Sequence, residues 1–187
     1  MIIEETKNDD NLNVVGDFSD SIEEGMDSSS LSFILEMLSK QFYSNPIGSI
    51  CREITSNCFD SHKEANVDDA VVINKKSDEE GNYISFQDFG VGLSPERIKN
   101  IYMKYFSSTK RDTNDQIGGF GLGSKTPLSY TDYFYITTVF ENIKYQYMFS
   151  RGTNKPTLDL IDQASTLERN GTEIKIYFKD YRDEDIF

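Results

Sequence analysis

Residues 46–65 restrict the fold most, because their pattern predicts a long helix that another layer must cover on one side. Asn45 is a good capping residue, Pro46 suits the first helical position, and helical spacing continues to about Ala65. Four residues share the apolar side of this predicted helix: Ile47, Ile54, Cys58 and Ala65. A helix with a single apolar stripe is stable when that stripe packs against a sheet or another helix.

A polar stripe borders the apolar stripe of the same helix. At about 100° per residue, Glu53, Asn57 and Asp60 fall within roughly 60° of one another and beside the apolar side chains. Carboxylates in that position are expected to be half-buried, which is unfavourable unless a cation or a bound ligand pairs with them. The alternative interpretation is an ordinary solvated helix face.

Composition divides the chain into an acidic arm and a patterned domain. Residues 1–28 are polar and acidic, and residues 29–187 are interpreted as one domain. Within it, residues 31–42 carry apolar side chains at helical spacing. Val71–Ile73 and Tyr83–Phe86 predict a hairpin with a charged turn that contains Gly81.

The second half of the chain is rich in predicted strands. Ser94 and Pro95 predict the cap and the first residue of another helix. Aromatic strand patterns follow over residues 132–140, 143–150, 155–163 and 171–178. Early helices followed by late hairpins predict an α+β fold, a two-layer sandwich with helices on one face of a mixed, mostly antiparallel sheet.

Net charge and cysteine spacing indicate which classes of partner and which cellular compartment the sequence favours. The formal net charge of −13 disfavours nucleic acid and anionic membranes as partners, since both attract basic surfaces. Cys51 and Cys58 are seven residues apart on one predicted helix, too far for a disulfide, so both are expected to be reduced. We find no signal-peptide pattern and no apolar run of membrane length, so we expect a cytoplasmic protein without membrane insertion.

Two glycine-rich motifs follow the helix. In "DFGVGL", Asp88 ends a predicted strand and could accept a hydrogen bond from an exocyclic amine, and Gly90 and Gly92 permit tight turns or close approach. In "GGFGLGSKT", free amides and a cation lie near a predicted helix start, as in phosphate-binding loops. Neither the P-loop spacing nor the Rossmann fingerprint matches this second motif.

The helix stripe, the Asp-x-Gly-x-Gly motif, the glycine-rich loop and a late "GTEI" occur in an order that resembles the GHKL ATPases. This family includes DNA gyrase B and histidine kinases, and its nucleotide site is the Bergerat fold. The resemblance implies that ATP and Mg²⁺ bind here, with Glu53 as general base, Asn57 as the Mg²⁺ ligand and Asp60 as a supporting acid. It also implies that the nucleotide, and a second copy of the chain in a homodimer, are partners.

The same resemblance assigns the remaining site residues. Asp88 would accept the adenine amine, Gly90 and Gly92 would lie beside the base, and Thr172 would reach adenine directly or through water. The lid and phosphate loop would contain Gly119, Gly121, Gly123, Ser124 and Lys125. Since related ATPases often take a catalytic lysine from a following domain, turnover by this chain is expected to be slow.

Longer stretches, such as "YFSSTKRDTNDQIGGFGLGSK", resemble the N-terminal domain of the phage rIIA-like proteins. That resemblance implies a role in lysis timing or against a host or prophage defence protein. Two other functions remain open: a non-catalytic nucleotide-binding module that inhibits a host protein, and a GHKL-type protein kinase. His62, the only histidine, is interpreted as a helix-surface residue.

Overall fold

The computed structural model describes residues 46–103, 123–152 and 156–179. The helical elements of these ranges are α1 (Pro46–Ala65), α2 (Pro95–Met103) and a 3-10 helix (Gly123–Ser129). The strands are β1 (Val72–Asp78), β2 (Gly81–Gln87), β3 (Tyr133–Phe140), β4 (Ile143–Ser150), β5 (Thr157–Ser165) and β6 (Gly171–Tyr177). The predicted acidic arm, the predicted helix over 31–42 and most of the glycine-rich loop lie outside the described residues.

The six strands form one sheet in the order β1-β2-β6-β3-β4-β5. Every pairing in that sheet is antiparallel, so the expected mixed character is absent from the described strands. The last strand, β6, lies between β2 and β3, where Thr172 is paired with Thr138. This central position brings a late part of the chain beside the end of β2.

One face of the sheet holds the core. Strand alternation and register place Phe86 opposite Ile174 and Phe149 opposite Leu158, and all four are buried. Residues of α1 and α2 pack on this face in the same core cluster. A fully buried Phe contributes roughly 2–3 kcal/mol. The predicted α+β sandwich is therefore confirmed.

Helix α1 has the predicted bounds, and a hydrogen-bonded cap ends it. Asn66 adopts a left-handed φ of 53° after the last helical residue. Its N–H donates to the Lys63 carbonyl at 3.2 Å, and the Val67 N–H donates to the His62 carbonyl at 3.0 Å. These two bonds form a Schellman motif, which satisfies carbonyls at the helix end. The C-terminal turn of α1 is thus held in place.

The connections between elements differ in detail from the sequence predictions. The cap of α2 is confirmed, since Ser94 Oγ accepts the Arg97 N–H at 3.1 Å and Pro95 is the first helical residue. The hairpin is present, but the prediction that its turn contains Gly81 was wrong. Glu79 and Glu80 form the turn, and Gly81 begins β2 with a φ of 135°. Among the described helices, none is long and apolar enough to span a bilayer.

Candidate functional site

Asp88 follows β2 directly and is the buried carboxylate of the site. Its side chain is 5% exposed, and Oδ1 accepts bonds from Ser61 Oγ at 3.0 Å and the Gly90 N–H at 2.9 Å. Its own N–H donates to the Thr172 carbonyl at 2.9 Å. Burial raises the pKa of Asp88, and the bonds from Gly90 and Ser61 oppose that rise. The carboxylate is thus fixed in position at the junction of α1, β2 and β6.

Gly90 and Gly92 are required by close contacts within the protein. A Cβ on Gly90 would lie 2.2 Å from Ser61 Oγ, so a side chain there would separate the turn from α1. Gly92 has a φ of 70°, and its Cβ would lie 2.0 Å from the Val139 carbonyl oxygen. Both glycines therefore let the turn after β2 pack against α1 and β3.

Thr172 belongs to a buried network of hydroxyl groups. It is 9% exposed, and its Oγ1 lies 3.1 Å from Oγ1 of Thr138, which is fully buried. Thr138 Oγ1 also accepts the Leu93 N–H at 2.8 Å and lies 3.1 Å from the Gly171 carbonyl oxygen. Sequence reasoning missed Thr138, although strand alternation puts it on the same face as the buried Phe134 and Ile136.

The polar stripe of α1 is more open to solvent. Asn57 is exposed, whereas Glu53 and Asp60 are partly buried, as expected for carboxylates beside an apolar stripe. The Glu53 side chain is 15% exposed and lies 3.4 Å from the Arg52 guanidinium. A Cβ on Gly123 would lie 2.7 Å from Glu53 Oε2, so the start of the 3-10 helix passes beside this carboxylate.

Lys125 occupies an unexpected place for a predicted phosphate ligand. Its side chain is 2% exposed, and Nζ donates to the Ile101 carbonyl at 2.7 Å, in the last turn of α2. Burial lowers the pKa of Lys125 to about 7. Gly123 and Ser124 are partly buried beside it, and Gly119 and Gly121 lie outside the described residues. In this arrangement the ammonium group joins the 3-10 helix to α2.

The interpretation of His62 as a surface residue was wrong. The side chain is 4% exposed, and Nε2 accepts the Phe89 N–H at 2.8 Å. The signal was available in the sequence, because helical geometry places His62 next to the apolar stripe, roughly 40° beyond Cys58. A histidine in that position is directed towards the turn that follows β2.

The polar stripe of α1 carries side-chain oxygen atoms of the kind that bind magnesium. No cluster of three or more His, Cys, Asp or Glu side chains able to hold a metal occurs in residues 46–103, 123–152 and 156–179. Asn57, Glu53 and Asp60 supply oxygen atoms from a single helix, and oxygen is the ligand atom that Mg²⁺ prefers. Mg²⁺ commonly takes one or two ligands from the protein and others from substrate phosphates and water.

An open groove of about 500 Å³ also runs along α1. Its lining includes Cys51, Arg52, Phe59 and Asp60, but neither Glu53 nor Asn57. It therefore contains one residue of the polar stripe and is separate from the buried Asp88 carboxylate.

The chain has a helix with a polar stripe packed on an antiparallel sheet, and a buried Asp88 in an Asp-x-Gly-x-Gly turn after β2, as expected for the class of nucleotide-binding ATPase domains that the sequence resembles. The family model described as "Histidine kinase-, DNA gyrase B-, and HSP90-like ATPase" matches residues 47–166, which is more than half of the chain. The chain belongs to this family. The match begins in α1 and ends just after β5, so Thr172 lies beyond the matched residues. A search of curated proteins gives no match to the chain.

Proposed function

We propose that this chain binds ATP with Mg²⁺ and hydrolyses the nucleotide slowly. The observation that carries the proposal is the buried Asp88 carboxylate, held by Ser61 and Gly90 and adjacent to Thr172. A buried carboxylate is unfavourable unless it is hydrogen-bonded or paired, and the bonds from Ser61 and Gly90 both go to Oδ1. Its position after β2, in a chain of this ATPase family, matches an acceptor for the exocyclic amine of adenine.

The phosphates are proposed to extend from this base site towards the exposed stripe of α1. Asn57 is available there as a ligand for Mg²⁺, and Asp60 lies one turn further along the helix. Gly123 lies beside the Glu53 carboxylate, and the backbone amides of Gly123 and Ser124 are proposed to contribute to phosphate binding. The bound ion would offset phosphate charge.

Glu53 is proposed as the general base that activates water. It is partly buried, and its Oε2 lies against the start of the 3-10 helix. A general base contributes roughly 10²- to 10⁴-fold to a rate. We therefore expect Glu53→Ala to reduce phosphate release by about that factor, with ATP affinity changed by less than a few-fold.

Phosphate release by the wild type, by Glu53→Ala and by a control, Glu96→Ala, tests this role. Glu96 is an exposed acid in the first turn of α2 and is not one of the proposed site residues. Equal rates for all three proteins would contradict the assignment of Glu53. Transfer of label from γ-labelled ATP to protein would instead support a kinase.

A nucleotide-binding module without turnover is the second candidate. One observation favours it: the Lys125 ammonium, predicted from the sequence to contact phosphate, donates to the Ile101 carbonyl. ATP binding without phosphate release above background by the wild type would support this module. The biological setting proposed for either activity is that of the phage rIIA-like proteins, through homodimerisation or contact with a host or prophage protein.

A further inference from the structure

The histidine at the end of α1 makes a specific contact with the turn that carries Asp88. His62 is buried, and its Nε2 accepts the Phe89 N–H at 2.8 Å. To accept this bond, Nε2 must carry no proton. The backbone of His62 is itself fixed, since its carbonyl accepts the Val67 N–H in the motif that caps α1. The imidazole therefore extends from a rigid part of the helix.

The contacted amide lies at the centre of the recognition turn, which we define as Asp88 to Gly90. The Asp88 N–H donates to the Thr172 carbonyl, the Phe89 N–H to His62, and the Gly90 N–H to the Asp88 carboxylate. Three successive amides of this turn thus have partners within the protein. Of the three, only the middle one depends on a side chain from another element.

The Phe89 ring supports the same placement. It lies nearly parallel to the imidazole of His62, with an angle of 16° and ring centroids 6.4 Å apart. The guanidinium of Arg169 lies 3.7 Å from the centroid of the Phe89 ring and forms an ion pair with Asp69 at 2.8 Å. Because Arg169 and Asp69 are largely exposed, their ion pair contributes little. The bond to His62, whose imidazole is buried, restrains this turn from α1.

We propose that His62 is a positioning residue for base recognition: it holds the recognition turn so that the Asp88 carboxylate is presented to the exocyclic amine of the base. The inference rests on the proposed function, and it adds a residue that acts through Asp88 without touching the nucleotide. Loss of the acceptor leaves a partly buried N–H without its partner, and the turn moves to find another. Asp88 then moves with it, and selection of adenine over guanine weakens.

Two substitutions distinguish the effect of the hydrogen-bond acceptor from the effect of side-chain size. His62→Leu removes the acceptor and keeps a side chain of similar size, whereas His62→Gln keeps an acceptor at a similar distance from the backbone. Lys63→Leu changes the exposed neighbour on the same helix and serves as the matched control. ATP and GTP affinities are measured for all four proteins, because GTP has a carbonyl oxygen where ATP has the amine.

We expect His62→Leu to lower the ratio of ATP affinity to GTP affinity by about 10-fold, and His62→Gln to restore most of it. In the nucleotide-free protein, amide hydrogen exchange at Phe89 should accelerate by a similar factor in His62→Leu alone. An equal loss of ATP and GTP affinity, or a His62→Gln variant no better than His62→Leu, would overturn the inference.

The two proposals can fail separately. Unchanged exchange at Phe89 in His62→Leu overturns the role of His62, whatever the nucleotide does. A wild type that binds ATP no better than GTP overturns the proposed base recognition as well. Should His62→Leu fail to fold, the scalar coupling between the two nitrogens of the His62–Phe89 bond is measured in ¹⁵N-labelled wild type. A missing coupling contradicts the inference, and an observed one supports it.

Discussion

The two ends of the candidate site are built differently. At the Asp88 end, which comprises Asp88, Gly92 and Thr172, every residue is buried and hydrogen bonds connect β2, β3 and β6. At the Glu53 end, which comprises Glu53, Asn57 and Gly123, the residues are partly or fully exposed. One end is thus a fixed part of the core, and the other lies at its surface.

In the proposed site, this difference would separate recognition of the base from hydrolysis of the nucleotide. A carboxylate that is already fixed and desolvated loses little freedom when a ligand binds, which favours selectivity. Substitutions at exposed or partly exposed positions usually cost the fold little, so substitutions of Glu53 and Asn57 should alter turnover more than stability. At the Asp88 end, substitutions should alter both stability and affinity, unless they keep the internal hydrogen bonds.

The largest expected effect is on stability at the Asp88 end. Gly92→Ala forces a side chain into a left-handed conformation and within 2.0 Å of the Val139 carbonyl oxygen. We expect a loss of roughly 3 kcal/mol in the free energy of unfolding, measured by urea denaturation. Gly81→Ala is the control, since Gly81 also has a positive φ but no atom within 4 Å of its Cβ position. Equal losses in the two variants would mean that contact with β3 is unimportant.

The next expected effect is a loss of ATP affinity with little change in stability. Asp88→Asn keeps an oxygen that can accept from Ser61 and Gly90, but it presents an amide in place of a carboxylate to the base. We expect ATP to bind roughly 10- to 150-fold more weakly, because a charge-assisted hydrogen bond is lost. Burial raises the pKa of Asp88, because desolvation makes the charged carboxylate less favourable in the folded protein than in the unfolded chain, and a neutral amide avoids that cost. The melting temperature should therefore change little.

Calorimetric titration with ATP and thermal denaturation measure both quantities for Asp88→Asn. The exposed Asp132→Asn is the control, and neither its affinity nor its stability should change appreciably. Unaltered ATP binding by Asp88→Asn would remove Asp88 from the nucleotide site. A parallel fall in stability would contradict the separation of recognition from folding at this position.

A further expected effect is a pH dependence of folding stability at Lys125. Burial lowers the pKa of this side chain to about 7 in the folded protein, whereas an unfolded lysine titrates near 10.4. Between these values the unfolded chain binds the extra proton, so folding stability attributed to Lys125 increases as pH rises through this window. Lys125→Met should remove that increase, as measured by denaturation at several pH values. The exposed Lys76→Met should keep it.

Nucleotide binding by Lys125→Met also tests the phosphate role that the sequence predicts. We expect ATP affinity to remain within a few-fold of wild type, because the ammonium donates to Ile101. A loss of 100-fold or more would show that the ammonium reaches the phosphates in the complex.

Sequence patterns predicted the secondary structure well where local signals are strong. Pro46 and the apolar spacing correctly gave the bounds of α1, and Ser94 with Pro95 correctly gave the start of α2. Capping and helical periodicity are local properties, so they can be read from neighbouring residues. The hairpin turn was misplaced because Gly81 has an unusual φ inside a strand, while two glutamates form the turn.

The candidate site was harder to predict wherever a side chain meets a distant segment. His62 and Phe89 are 27 positions apart, and Thr138 and Thr172 are 34 apart. No local pattern shows which of these polar residues will find a partner in the core. Lys125 shows the converse, since its motif favours phosphate while the fold places its ammonium on a helix carbonyl.

The most direct test is a calorimetric titration of the wild-type chain with a non-hydrolysable ATP analogue and Mg²⁺. The proposed site predicts saturable binding heat with one nucleotide per chain. It also predicts that Asp88→Asn binds the analogue at least 10-fold more weakly than the wild type. Wild-type protein that gives no binding heat, together with a melting temperature that the analogue does not raise, would contradict nucleotide binding at this site.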